Sequence, residues 1–479
     1  MGVKMRKFEN QVQFIKNEVI RMVARFAFED ALIENVSSIP LMANPGQDPR
    51  FRCCIYHERA ITAERVTMAM GGRKSEPGVI EVLESACDQC PVERYVITET
   101  CRGCLAHRCK GSCPVDAIRI ENNKAVIDYN KCVECGRCKE SCPYNAIADV
   151  MRPCRRECPT GAISIDTRKK AVIDHDKCIA CGACVYKCPF GAIQEKSEIL
   201  PVIDKLRKGH ENMYAILAPA FATQFEYADL GQVIHGIKKL GFKDVVEVAL
   251  GADMVVRHES AEVLEAVEED TFITSSCCPG FVNYIEIKHP ELKGHVSKTA
   301  SPMIATARLI KKIDEKAQVV FIGPCIAKKT EKDKKEGVDF VLTFEELAAL
   351  IEAKDIDLTN LEPHPLNNAS YYGRKFATTG GLSNAVKAYL KDKDAPDIRI
   401  ETCDGIGACD KALKLGKVKR LQADFIEGMA CKGGCIKGPV TMHHGPKDMK
   451  ELERYSKRAL EENPDQALRV FDMAGVCLE

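Results

Sequence analysis

Apolar positions recur at helical spacing through Val12, Ile15, Val19, Ile20 and Val23, so residues 1–85 are predicted to be mainly helical, with a break at Asn44-Pro45-Gly46. From Cys87 to about Lys196 the pattern changes to short apolar strands and tight turns. From residue 197 onward, apolar runs alternate with helical stretches: Tyr214 to Leu217, Val245 to Leu250, Thr271 to Thr274, Val319 to Ile322 and Phe340 to Leu342. That alternation predicts parallel α/β layers. The mixed charge run Glu331 to Glu336 carries no apolar stripe and reads as a solvated loop. Three domains follow: 1–85, 86–196 and 197–479.

Composition adds exclusions. With 45% hydrophobic and 29% charged residues the chain can bury real cores, which excludes global disorder. The 69 Lys+Arg cancel the 69 Asp+Glu, so no overall field draws it to nucleic acid or to an anionic membrane. No apolar run is long enough to span a membrane, and Met1 to Glu9 leads into a charged segment without a small-residue cleavage site. A soluble, cytoplasmic protein is expected. Cysteine is the outlier, with 26 in all and 18 of them between Cys53 and Cys188. Disulfide density belongs to small secreted domains, so metal is the better reading.

The middle region repeats itself. Cys113-Pro114 through Lys124-Ala125-Val126-Ile127-Asp128 to Cys142-Pro143 recurs as Cys158-Pro159 through Lys170-Ala171-Val172-Ile173-Asp174 to Cys188-Pro189, offset by 45 residues at the start and 46 at the end. Two ferredoxin-like units in tandem are expected, with the extra residue absorbed in a hairpin connection. Cys132, Cys135, Cys138, Cys142 and Cys178, Cys181, Cys184, Cys188 each form C-x2-C-x2-C-x3-C-P. In such a loop three thiolates wrap one iron-sulfur cube and the fourth reaches a second. The first unit therefore pairs Cys101, Cys104, Cys109 with Cys142, and Cys132, Cys135, Cys138 with Cys113. In the second, Cys178, Cys181 and Cys184 take Cys158. Cys154 and Cys188 are left two ligands short, and Cys87-x2-Cys90 is proposed to complete a fourth cube. The competing reading is a structural zinc, chiefly on the Cys87/Cys90 set. Arg152, Arg155 and Arg156 stand near Cys154 to offset anionic clusters.

Three further motifs lie in the α/β region: Thr274-Ser275-Ser276-Cys277-Cys278-Pro279-Gly280, Gly323-Pro324-Cys325-Ile326-Ala327-Lys328-Lys329, and Glu427-Gly428-Met429-Ala430-Cys431-Lys432-Gly433-Gly434-Cys435. Each stands at the end of an apolar strand, where α/β proteins place ligands. Cys431 and Cys435 are spaced to share a helix face.

These motifs resemble those of the FeFe-hydrogenases over about 197–479. The resemblance implies an α/β catalytic domain of two lobes with twisted, mostly parallel sheets flanked by helices. It implies an H-cluster: a cube on Cys278, Cys325, Cys431 and Cys435, bridged by Cys435 to a two-iron centre carrying CO, cyanide and an azadithiolate. Cys277 would exchange protons with that centre, and Glu259, Ser297 and Glu262 would carry them outward. Lys328 would bond a cyanide, and Ala218, Pro219, Gly323, Pro324 and Met429 would border the centre. From the residues alone, Glu259 and Glu262 read instead as an i, i+3 pair on a solvated helix face. The chain departs from the family's best-known members at Gly323 (Met there), Ala220 (Ser) and Met303 (Gln), and after Cys435; an open space is expected beside Gly323. The expected activity is reversible reduction of protons to H2, fed by a ferredoxin-type carrier through four relay cubes, after loading by hydrogenase maturation proteins. The rivals are a hydrogen or redox sensor and an iron-sulfur assembly protein without the two-iron centre. Cys53, Cys54, Cys403, Cys409 and Cys477 have no place in this scheme and default to packing.

Overall fold

The computed structural model describes residues 6–52 and 54–479, so Cys53 and the first five residues of the N-terminal reading lie outside the described residues. The chain opens with the helix Gln11–Phe28, capped where Asn10 accepts the Gln13 N–H at 3.0 Å. Its second half buries Val19, Ile20 and Val23, as its spacing predicts. Its first half buries Gln13, Lys16 and Asn17 instead. The reason is a polar interface: Lys16 bonds both Glu195 and Glu345, and Asn17 donates to Glu352 at 2.7 Å. Val19, Ile20 and Val23 share one core with Ile216, Val319 and Leu347, so this helix packs as part of the α/β region. Cys54 is exposed and caps the helix Ile55–Ala69, its sulfur accepting from His57 N at 3.4 Å. It is not a core residue.

The cysteine-rich region is built from two-stranded antiparallel pairs. Ile118–Glu121 pairs with Lys124–Ile127, and Ile163–Ile165 with Ala171–Ile173, which are the two hairpins of the repeat. The first turns through Asn122 and Asn123, both at positive φ. The longer second one is tied by Lys170 N to Asp166 Oδ1 at 2.7 Å. Tyr95–Ile97 pairs with Ile147–Asp149 and closes the first unit. Ile80–Val82 pairs with Ile193–Glu195 and closes the second. The first unit is thus inserted within the second, where a tandem was expected. Cys87 and Cys90 enter the second unit with the strand that precedes them.

Beyond residue 197, near-continuous apolar runs form parallel strands covered on both sides. A four-stranded parallel sheet runs in the order Asp244–Glu247, Met213–Leu217, Gln318–Gly323, Phe340–Thr343. A three-stranded parallel sheet runs Ile273–Thr274, Phe425–Met429, Ile400–Asp404. The run Val245 to Leu250 divides: the strand stops at Glu247 and Val248 starts the long helix Val248–Glu268. Glu331 sits in the helix Ala327–Lys334, buried against Lys328, so the charge run begins as packed helix and not as a solvated loop. No helix among the described residues is long and apolar enough to cross a membrane.

Candidate metal centre and proton route

Four loops leave the C-terminal ends of parallel strands from both sheets and meet at one cavity of about 90 Å³. Ala218 and Pro219 follow Leu217, Cys277 and Cys278 follow Thr274, Pro324 and Cys325 follow Gly323, and Met429 ends its strand ahead of Cys435. Ala218, Pro219, Cys277, Cys278, Pro324, Cys325, Met429 and Cys435 line the cavity, as do Lys328, Met303 and Ala220, whereas Gly323 does not. Cys431 and Cys435 do not share a helix. The chain between them turns through Gly433 and Gly434, at φ +85° and +84°, and a Cβ on Gly434 would lie 2.6 Å from Thr379 N.

The donor set fits a cube. Burial, with Cys278 nearby, pushes the Cys325 thiol up to about 11; burial, with Cys278 and Cys325 nearby, pushes Cys435 up to about 12. Cys431 rises well above the usual thiol range through burial and the same neighbours. Thiols that raise one another in an apolar pocket become thiolates when a metal takes them. Cys181 stands within electrostatic reach of Cys325 and Cys431, so the second ferredoxin-like unit abuts this site.

Gly323 does not border open space. The Phe321 ring occupies the position of its missing side chain: a Cβ there would lie 2.4 Å from Phe321 Cζ and 3.1 Å from Ala218 Cβ. The ring itself faces the cavity.

Cys277 also lines the cavity, and burial keeps its thiol protonated, with the Glu259 and Cys278 charges adding to the effect. Glu259 is 0% exposed. Its carboxyl is raised to about 8, first by burial and then by Glu262. Glu259 Oε1 accepts from Ser276 N at 3.4 Å, and the only neighbour toward Oε2 among the described residues is the more distant Ser297 hydroxyl, which is outside close hydrogen-bond range. Ser297 lies between the two glutamates, within reach of Glu259 and donating to Glu262 Oε2. Glu262, partly exposed, also accepts from Thr299 Oγ1 at 3.0 Å. The pair is therefore a buried-to-surface step on one helix face rather than two solvated groups.

Lys328 is buried, and its ammonium donates to Cys277 O at 3.2 Å, Ser301 Oγ at 3.0 Å and Glu331 Oε2 at 2.7 Å. Any further acceptor would replace one of these, and the neutral Ser301 hydroxyl is the cheapest to release. Glu427, fully buried beside Cys277 and Cys435, is a site residue that the motif contained without signalling its role. It accepts from Gly380 N at 2.9 Å and Ser383 N at 2.8 Å, and so fixes the Thr378-to-Gly381 turn against which Gly434 packs.

The cysteines of the two ferredoxin-like units stand in groups. Cys113, Cys132, Cys135 and Cys138 line one small cavity. Cys109 stands near Cys104 and Cys142. Cys184 faces Cys158, Cys178 and Cys181. Cys154 faces Cys87, Cys90 and Cys188, and burial with those neighbours pushes it up to about 12. Of the three arginines expected to offset this set, Arg152 alone reaches a thiol, at 3.6 Å from Cys87 Sγ. Arg155 pairs with Glu134 at 2.9 Å and Arg156 with Asp149 at 3.4 Å. Cys403 and Cys409 are buried together behind Met429, and Cys477 is exposed.

Parallel strands bring Cys278, Cys325 and Cys435 to one cavity, Cys431 stands close to Cys278 and Cys325, and the nested ferredoxin-like loops abut them, as in an iron-sulfur protein. The family model "Iron only hydrogenase large subunit, C-terminal domain" matches residues 211–439, and "4Fe-4S binding domain" matches 125–148 and 171–194. The periplasmic Fe hydrogenase large subunit of Nitratidesulfovibrio vulgaris is 30% identical over 303 residues, 51% of this chain and 72% of that one. Iron hydrogenase 1 of Clostridium pasteurianum is 29% identical over 396 residues, 71% of this chain and 68% of that one. A cytosolic Fe-S cluster assembly factor of Meyerozyma guilliermondii is 34% identical over 160 residues, 29% of this chain and 30% of that one. The chain belongs to the iron-only hydrogenase family.

Proposed function

We propose that the chain interconverts protons and H2 at an H-cluster held by Cys278, Cys325, Cys431 and Cys435, with electrons supplied by a ferredoxin-type carrier. The observation that carries this reading is the meeting of two routes at one cavity: Cys278, Cys325 and Cys435 with Cys431 close behind them on one side, and Cys277 with Glu259, Ser297 and Glu262 on the other. When bound, the two-iron centre supplies the site where two electrons and two protons combine. The chain's own residues do the rest. Cys277, a neutral thiol, holds a proton at the cavity wall. Glu259, raised to about 8, exchanges that proton near neutral pH without becoming a stable buried charge. Ser297 passes it to Glu262 at the surface. Ala218, Pro219, Phe321, Pro324 and Met429 exclude water.

In this reading four relay cubes bring the electrons. The Arg155–Glu134 bridge sets the loop of Cys132 and Cys135 beside Cys154, Cys154 lies near Cys184, and Cys181 lies near Cys325. That order supports a single line from the first unit, through the Cys87/Cys90/Cys154/Cys188 set, to Cys158/Cys178/Cys181/Cys184 and the cavity.

The likeness to an assembly factor favours a second reading, in which the chain holds cubes and hands on clusters without making H2. Infrared spectroscopy after maturation decides between them. Bands of bound CO and cyanide together with H2 evolution from a reduced carrier are expected; intact cubes with neither would replace the hydrogenase reading by the second.

A further inference from the structure

Two buried guanidinium groups flank the Cys87/Cys90/Cys154/Cys188 set, and neither has a carboxylate bonded to it. Arg152 is 4% exposed. It donates Nε to Pro91 O at 2.9 Å, Nη2 to Lys169 O at 2.8 Å and Nη1 to Cys87 Sγ at 3.6 Å. Arg65, also 4% exposed, donates Nη2 to Phe190 O at 3.3 Å and has no partner for Nε or Nη1. It lies against the turn that follows Cys188: a Cβ on Gly191 would be 3.0 Å from Nη2. The charged groups around Arg65 are few. Arg52 is held by Asp88 at 2.6 Å, and Glu64 is committed to Ser85. Across a small pocket with room for about one water, Glu195 gives one oxygen to Lys16 and leaves Oε2 without a hydrogen-bond partner among the described residues, and Glu346 is paired with Lys329. Burial with Arg52 alongside lowers Arg65 to about 10, and Cys188 is the leading opposing influence.

A buried cation without a paired anion is costly, because it gives up its hydration without a countercharge. Thiolates of Cys87 and Cys188 relieve that cost on both sides of the set. A cube on four thiolates gains one negative charge on reduction, so fixed buried cations beside it stabilise the reduced form more than the oxidised one. The outer sets differ: Arg102, Arg108 and Arg137 are partly or fully exposed, where water and salt screen them.

We propose that Arg65 and Arg152 make the cube on Cys87, Cys90, Cys154 and Cys188 the most readily reduced of the relay, an in-line reservoir for one electron. This rests on the reading that the set holds a cube. Each H2 takes two electrons, and a carrier of the ferredoxin class delivers one at a time. An electron waiting at this cube and one arriving from the carrier complete the pair, and the cube then refills from the set on Cys113, Cys132, Cys135 and Cys138.

The test is a potentiometric titration followed by electron paramagnetic resonance on the full chain with all clusters loaded, paired with iron analysis. In the unsubstituted protein one relay cube should reduce ahead of the others, and Cys154→Ala should remove that signal with about four irons. Arg65→Gln and Arg152→Gln should each move that midpoint to lower potential while the other midpoints and the iron count hold. Arg152→Lys, which keeps the charge, should recover most of the shift. An unmoved midpoint in both Gln variants at full iron content would overturn the arginine assignment and leave the cube in place. Cys154→Ala with unchanged iron would remove the cube and the proposal with it. Arg152→Gln also releases two carbonyls, so if it loses iron, Arg65→Gln decides alone.

Discussion

The relay thiols and the cavity thiols are held in different ways. In the relay, Cys113, Cys142, Cys158 and Cys188 each accept from the N–H of the alanine four residues on, at 3.2, 3.4, 3.2 and 3.3 Å. One Cys-Pro-x-x-Ala turn is used four times, and each copy brings its own backbone donor to the sulfur. The cavity thiols come from three segments that share no turn and are positioned by strands of two separate sheets. A local device can be copied along a chain. A device assembled from distant strands exists once and depends on the whole α/β packing.

The sharpest break in that comparison is Cys277→Ala. Turnover should fall by about 10² to 10⁴-fold, the range for loss of a positioned proton carrier, while iron content and the infrared bands stay as they were. Loss of the bands as well would make Cys277 structural. Next is Glu259→Gln, for which a fall of about 10²-fold is expected. The native pH profile should carry a limb near 8: as pH rises through that value the carboxyl ionises and can no longer give up a proton. The amide variant should lack that limb; a limb that persists would belong to another group. The same shift has a stability sign. Glu259 is raised in the fold above its ordinary 4.5, so its stabilising contribution is full below that value and is lost as pH climbs toward 8.

A third expectation concerns what holds the cavity side together. Arg374 and Glu247 are both 1% exposed and bond at 2.7 and 2.8 Å, with the Tyr455 hydroxyl donating to Glu247 at 2.8 Å. Arg374→Gln leaves a buried carboxylate unpaired and should cost about 3–5 kcal/mol, read by thermal unfolding of the metal-free chain. The exposed relay pair Arg119–Glu121 should be removable with little change. Equal effects would dissolve the contrast. The smallest effect is expected at Gly323→Met, where the side chain meets the Phe321 ring and overpacking costs about 1–3 kcal/mol. Adding Phe321→Ala should restore stability; failure of the double variant to do so would place the clash in the backbone instead.

The contrast also explains what could be read from the chain. The cysteine groups of the ferredoxin-like units were legible because their members are spaced by a few residues, and spacing is visible in one dimension. The nesting of the two units was not, because Ile80–Val82 and Ile193–Glu195 are short strands with no signal of their pairing. The cavity cysteines were legible through resemblance, but their surroundings were not. Phe321 sits two residues before Gly323 on the same strand, and the alternation that puts both on one face says nothing of which ring fills the gap. Arg65 lies in a helix whose apolar pattern gives no hint that its guanidinium turns toward Cys188. Glu331 was misread because a helix of eight residues, Ala327–Lys334, bears so many charges that only its contact with Lys328 explains its burial.

Lys16 has a consequence of another kind. Its ammonium is held between Glu195, on the strand that closes the second ferredoxin-like unit, and Glu345, on the helix Phe344–Ala353 beside the larger sheet. The first helix thus rivets the wire to the furnace. Electron tunnelling decays exponentially with separation, so under the proposed function a joint that opposes sliding here would help to hold the distance between Cys181 and the cavity thiols. Cutting the chain at a domain boundary near residue 85 would free that rivet. It would also strip Val19, Ile20 and Val23 from the core they share with Ile216, Val319 and Leu347, so the remaining part would lose both the joint and part of its own packing.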